Sequence, residues 1–127
     1  MLFNPLNHIA IIVSNLEVSR DFYVNKLEFK LIHEIERPER QSTILYLDAG
    51  NMIIELFSFP NPPKRVTIPE ACGLRHPAFN VEDFDNTIIK LNNLGIITEE
   101  VRIDARTGKK MTFFKDPDDL PIEICEQ

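Results

Sequence analysis

Four residues of this chain have the types and the spacing to hold a divalent ion: His8, Glu55, His76 and Glu123. Two neutral imidazoles and two carboxylates form an N2O2 donor set that carries two negative charges, which suits a divalent cation. Taken singly, a histidine at a strand start is an ordinary surface residue. A glutamate inside an apolar strand is less ordinary, because an unpaired buried carboxylate is costly. The recurrence gives the set its weight: 76 − 8 and 123 − 55 are both 68.

That offset runs through both ends of the chain. Leu6-Asn7-His8-Ile9-Ala10-Ile11-Ile12-Val13 matches Leu74-Arg75-His76-Pro77-Ala78-Phe79-Asn80-Val81 at leucine, histidine, alanine and valine. Asn51 to Leu56 faces Asp119 to Ile124, and Asp48 faces Asp116, again at 68. Two copies of one module follow: residues 4–59 and 74–127, with a connector over 60–73. Pro60, Pro62, Pro63 and Pro69 stiffen that connector.

Each module reads β-α-β-β-β. Ile9 to Val13 is a β-branched strand. Ser14 with Glu17 has capping-box spacing, and a helix follows with Phe22, Tyr23 and Leu27 as its apolar stripe. Phe29 to Glu36, Thr43 to Asp48 and Met52 to Ser58 are strands, the last two joined by the turn Asp48-Ala49-Gly50-Asn51. The second module predicts strands at His76–Val81, Ile97–Ile103, Met111–Phe114 and Pro121–Cys125. Its helix is capped by Asp83, striped by Phe84, Ile88, Leu91 and Leu94, and ended by Gly95. The fold class is therefore α+β, two βαβββ modules forming a curved mixed sheet.

Strand alternation then places the four residues. His8, Ala10 and Ile12 share a face, as do Ile53, Glu55 and Phe57, with the aliphatic faces turned to the helix. His76, Ala78 and Asn80 form a second such set, with Pro121, Glu123 and Cys125 beside it. Both pairs lie on the concave side. If the modules are related by a pseudo-two-fold axis, all four donors converge.

Composition narrows the partners. The chain has 127 residues and a net charge of −6, from 20 acidic and 14 basic side chains, which argues against duplex nucleic acid and anionic membrane. The longest aliphatic run, Ile9 to Val13, is far below a membrane span. Cys72 and Cys125 are too few for a disulfide framework and, with no secretory signal visible, predict a reduced, cytoplasmic protein. Open sheet edges predict a homodimer.

The chain resembles the vicinal oxygen chelate superfamily in its glyoxalase I branch. His8 to Val13 followed by Ser19-Arg20-Asp21-Phe22-Tyr23, and Phe114-Lys115-Asp116-Pro117-Asp118 followed by Ile122-Glu123, carry the resemblance. The family's His, Glu, His, Glu metal pattern maps onto His8, Glu55, His76 and Glu123. A glutamate at position 55 resembles glyoxalase I, where related epimerases of coenzyme A thioesters carry glutamine. The resemblance implies one divalent ion per site, nickel, zinc, cobalt, manganese or iron. It also implies a lactoylglutathione lyase-like metalloenzyme acting on a small-molecule substrate: a carboxylate abstracts a proton next to a carbonyl while the ion stabilises the enediolate. Glu123 is the expected base and Glu55 its mirror. Phe57, Phe59, Arg75 and Cys125 are the expected substrate-pocket residues, with Arg37 a second candidate anion clamp.

Three positions depart from the glyoxalase I pattern. Ile12 stands where that family has a glutathione-binding arginine, Phe59 where it has an asparagine, and Asp119 where it has a turn glycine. The alternatives are an epimerase or thiol transferase of the same superfamily, or a non-catalytic small-molecule-binding module that sequesters an antibiotic.

Overall fold

The β-branched run after Asn7 forms strand β1 (His8–Val13) in the computed structural model, which describes residues 1–127. Helix α1 (Leu16–Arg20) follows and continues as a π-helical turn over Asp21–Lys26. Then come β2 (Lys30–Arg37), a 3-10 turn at Pro38–Arg40, β3 (Ser42–Asp48) and β4 (Ile53–Ser58). The expected cap Ser14 is replaced by its neighbour. Asn15 Oδ1 accepts from the Val18 backbone N–H at 3.2 Å. Asparagine caps as well as serine does, so the helix starts one residue later.

These elements make the first of two compact units, Met1–Pro63. Its sheet has the order β1-β4-β3-β2, with β1 parallel to β4 and the other pairs antiparallel. Val13, Leu45, Leu47, Ile54 and Leu56 are fully buried on one face, and Phe22 and Tyr23 are buried beside them. The other face carries His8, Ala10, Ile12, Glu55 and Phe57, because strand neighbours alternate. The β3–β4 turn has Gly50 at φ 95°, and the Asp48 carboxylate accepts from the Gly50 N–H at 2.8 Å.

The second unit, Lys64–Gln127, repeats this plan. It holds β5 (Ala78–Val81), α2 (Phe84–Asn93), β6 (Arg102–Ile103), β7 (Lys110–Lys115) and β8 (Pro121–Glu126). The sheet order is β5-β8-β7-β6, again with one parallel pair, β5 and β8. Asp83 caps α2 by accepting from the Asn86 N–H at 3.1 Å. Phe84, Leu91, Phe114, Ile122 and Ile124 form the core.

Two expected strands are shorter than the pattern suggests. Strand β5 begins at Ala78 rather than His76, because Pro77 has no N–H for the ladder. Only Arg102 and Ile103 of the alternating run from Ile97 pair with β7. Upstream, the Glu99 N–H goes to the Phe113 carbonyl, and the Glu99 carbonyl accepts the Thr112 hydroxyl, so a side chain interrupts the ladder.

The turn before β8 is fixed by a buried carboxylate. Asp116 Oδ1 accepts from the backbone N–H groups of Asp118 and Leu120, at 2.8 and 2.9 Å. Asp119 sits at φ 65°, the left-handed region where the family pattern has glycine. The end of the proline-rich connector folds onto this unit: Arg65 Nη2 donates to the carbonyls of Leu74 and Arg75, and Thr67 Oγ1 to that of Asp119. No helix is long and apolar enough to cross a membrane.

Candidate functional site

In each unit a histidine just ahead of a shared level meets a glutamate on the neighbouring parallel strand. Ala10 is level with Glu55, and Ala78 with Glu123, so His8 and His76 each lie two residues before that level. The outcome is the same contact twice. His8 Nε2 lies 2.8 Å from Glu55 Oε2, and His76 Nε2 lies 2.8 Å from Glu123 Oε2. The glutamate side chains are 11% and 12% exposed, the histidines 47% and 20%, so each carboxylate is sunk in the sheet and each imidazole reaches it from outside. In neither unit do three or more His, Cys, Asp or Glu side chains gather into a group that could hold an ion.

The outer contacts of the two histidines differ. His8 Nδ1 lies 2.7 Å from Asn7 Oδ1. With Nδ1–H donating there, Nε2 presents a lone pair to a carboxylate oxygen, and the two repel unless a proton or a cation lies between them. That arrangement fits a metal, with Asn7 orienting the ring as outer partners of ligating histidines do. His76 Nδ1 instead accepts from Arg75 Nη1 at 3.1 Å, so its Nε2 carries the proton and donates to Glu123. A metal at that nitrogen would require Arg75 turned away and the proton on Nδ1. Arg75 is thus engaged with His76 and with Glu70, 2.6 Å away.

Cys125 Sγ donates to Glu123 Oε1 at 3.4 Å. Burial and the adjacent carboxylate push this thiol up to about 11, so it stays protonated and serves as a donor, not a nucleophile. Phe57 and Phe59 stack, with ring centroids 5.9 Å apart.

The cross-strand partners of the glutamates are a further finding. Tyr46 stands directly opposite Glu55, and Phe113 opposite Glu123. The Phe113 ring meets the edge of His76 at 4.8 Å, while Tyr46 meets His33 at 6.3 Å. Counting outward from the β3–β4 turn is the signal that finds Tyr46.

This duplicated plan matches known proteins. The family model of the Glyoxalase/Bleomycin resistance protein/Dioxygenase superfamily covers residues 5–124. The chain belongs to that superfamily. It is 53% identical to the uncharacterized protein YwkD of Bacillus subtilis over the whole of both chains. It is 47% identical to a crystal structure of a glyoxalase family protein from Enterococcus faecalis, with a TM-score of 0.92 over 99% of this chain and 100% of that one. More distant are the human mitochondrial methylmalonyl-CoA epimerase, 29% identical over 89% of this chain and 67% of that protein, and a trypanothione-dependent glyoxalase I from Leishmania major, 25% identical with a TM-score of 0.75 over 98% and 87%. Members of the superfamily typically bind a divalent metal, and its domains bind small molecules.

Proposed function

We propose that this protein is a divalent-metal-dependent lyase or isomerase of the glyoxalase I type, which abstracts a proton next to a carbonyl. The supporting observation is the repeated His Nε2–Glu Oε2 contact at 2.8 Å, once in each unit at the same register. His8, Glu55, His76 and Glu123 would hold the ion, one pair of each kind. When bound, the ion supplies a Lewis acid for negative charge developing on substrate oxygens.

The chain's own groups do the rest. The Glu123 carboxylate takes the carbon-bound proton, and Glu55 is its counterpart. Cys125, kept protonated, steadies Glu123 Oε1. Asn7 keeps the His8 ring turned to Glu55. Phe57 and Phe59 keep water from the reacting carbon. The substrate is a 2-oxoaldehyde–thiol adduct or a similar small molecule with oxygens on adjacent carbons. Ile12 and Phe59 remove two glutathione contacts, which favours a thiol other than glutathione. The likeness to methylmalonyl-CoA epimerase supports a second reading, epimerisation by the same proton abstraction.

The test is metal content by elemental analysis after reconstitution with nickel, zinc and manganese in turn, followed by turnover of methylglyoxal adducts of several thiols in D2O. Bound metal, with solvent deuterium in the product and neither turnover nor deuterium in Glu123→Gln, is the expected result. Absence of metal under all three conditions overturns the enzyme reading and leaves a ligand-sequestering module.

A further inference from the structure

Arg37 differs from four other guanidinium groups of the chain. Arg20 is paired with Glu17 and Glu34, Arg75 with Glu70, and Arg102 with Glu99. Arg65 donates to two backbone carbonyls. Arg37 has no carboxylate. Its Nη2 donates to Ser42 Oγ at 3.0 Å, and its buried Nε has no hydrogen-bond partner. The guanidinium carbon lies 5.2 Å from the Phe57 ring centroid and 5.9 Å from that of Phe59.

The register puts this group on the face that carries Glu55. Arg37 pairs with Ser42, Ser42 shares its face with Ile44, Ile44 pairs with Phe57, and Phe57 shares its face with Glu55. Phe57 is two residues beyond Glu55, about 7 Å along the strand. A planar fork of five N–H donors, one of them used, is shaped for a carboxylate or phosphate. Two aromatic faces hold it in place without neutralising it. A partly buried guanidinium with a donor unmet gains most from an incoming anion.

We propose that Arg37, held against Phe57 and Phe59, binds the anionic end of a small organic acid whose other end reaches Glu55. The ligand class is an acid with adjacent oxygens at one end and a carboxylate about 7 Å away. The inference rests on the proposed function in taking Glu55 as one of the residues that would hold the ion. Isoleucine at position 12 leaves this face without an arginine on β1, and Arg37 supplies a cation from β2 instead.

Two probes test it by calorimetry: 2-oxoglutarate, and 2-oxobutyrate, which lacks the remote carboxylate. The metal-loaded wild type should bind 2-oxoglutarate at least ~10-fold more tightly, as a charge-assisted pair provides. Arg37→Met, which keeps an apolar stem on the rings, should bring the two affinities together. Arg37→Lys, a point charge without the fork, should keep a reduced preference and serves where the methionine variant fails to fold. Equal affinities in the wild type, or a preference undiminished in either variant, overturns the proposal. Metal content separates the two readings. Arg37→Met should hold the wild-type amount of metal, whereas Glu55→Ala should lose it. A wild type without metal that still shows an Arg37-dependent preference keeps the anion site and refutes the metalloenzyme.

Discussion

Replacing Glu55 by glutamine should separate metal affinity from fold stability. The amide has almost the same shape and can donate to His8 Nε2, so the metal-free protein loses only the carboxylate charge of the His8–Glu55 pair. Exchanging such a pair for neutral groups changes stability by about 1 kcal/mol or less when the hydrogen bond survives. Metal binding responds differently. At a free-metal concentration 100 times Kd, a ligand that binds only the folded state adds ~2.7 kcal/mol. For 127 residues, the unfolding entropy is ~270 cal/mol/K, so the wild-type midpoint rises by ~10 °C. Loss of even an outer partner of a metal ligand weakens affinity by ~10- to 100-fold, and a direct ligand should reach the upper figure. At the same metal concentration the variant then gains ~0.4 kcal/mol, or ~1.5 °C. The assay is thermal unfolding followed by circular dichroism, in chelator and in nickel, zinc or manganese. Two outcomes refute the reasoning: an equal metal-induced rise in both proteins, or no rise in the wild type.

Two further results are expected. With iodoacetamide at pH 8, exposed Cys72 should react quickly and Cys125 far more slowly, with the Cys125 rate climbing until the pH nears 11, because burial and Glu123 hold its proton; mass spectrometry at several pH values would detect matching rates, which would contradict the buried-donor role. Asp119→Gly should raise stability by at most about 1 kcal/mol in urea unfolding, since the residue sits at φ 65° and contributes its backbone carbonyl to Thr67; a loss of stability would mean the aspartate side chain supports the turn.

The two His–Glu pairs were legible in the sequence because they depend on alternation and on the offset of 68, both local or repeated signals. The order of strands was legible for the same reason. The exact start of α1 was not, since Ser14 and Asn15 are both good caps and only the path of the chain chooses between them. The short β6 was hidden because Thr112 competes through its side chain for the Glu99 carbonyl, a contact between residues far apart in sequence. Arg37 could be named as a candidate clamp but not placed. Its position follows from the β2–β3 register, which shifts between Leu31 and His33. Such an irregularity moves every later residue of β2 relative to β3 and leaves no mark in the hydrophobic pattern.

The sheet orders carry one more consequence. Glu55 and Glu123 lie on β4 and β8, each paired on both sides, whereas His8 and His76 belong to or precede β1 and β5, each at the end of its sheet. An interior strand opens only when its sheet does, while a terminal strand can breathe alone. Backbone amides around the histidines should therefore exchange with deuterium sooner than those around the glutamates. Under the proposed function, the imidazole arm would be the door for an arriving ion, and the carboxylate the doorpost that stays fixed.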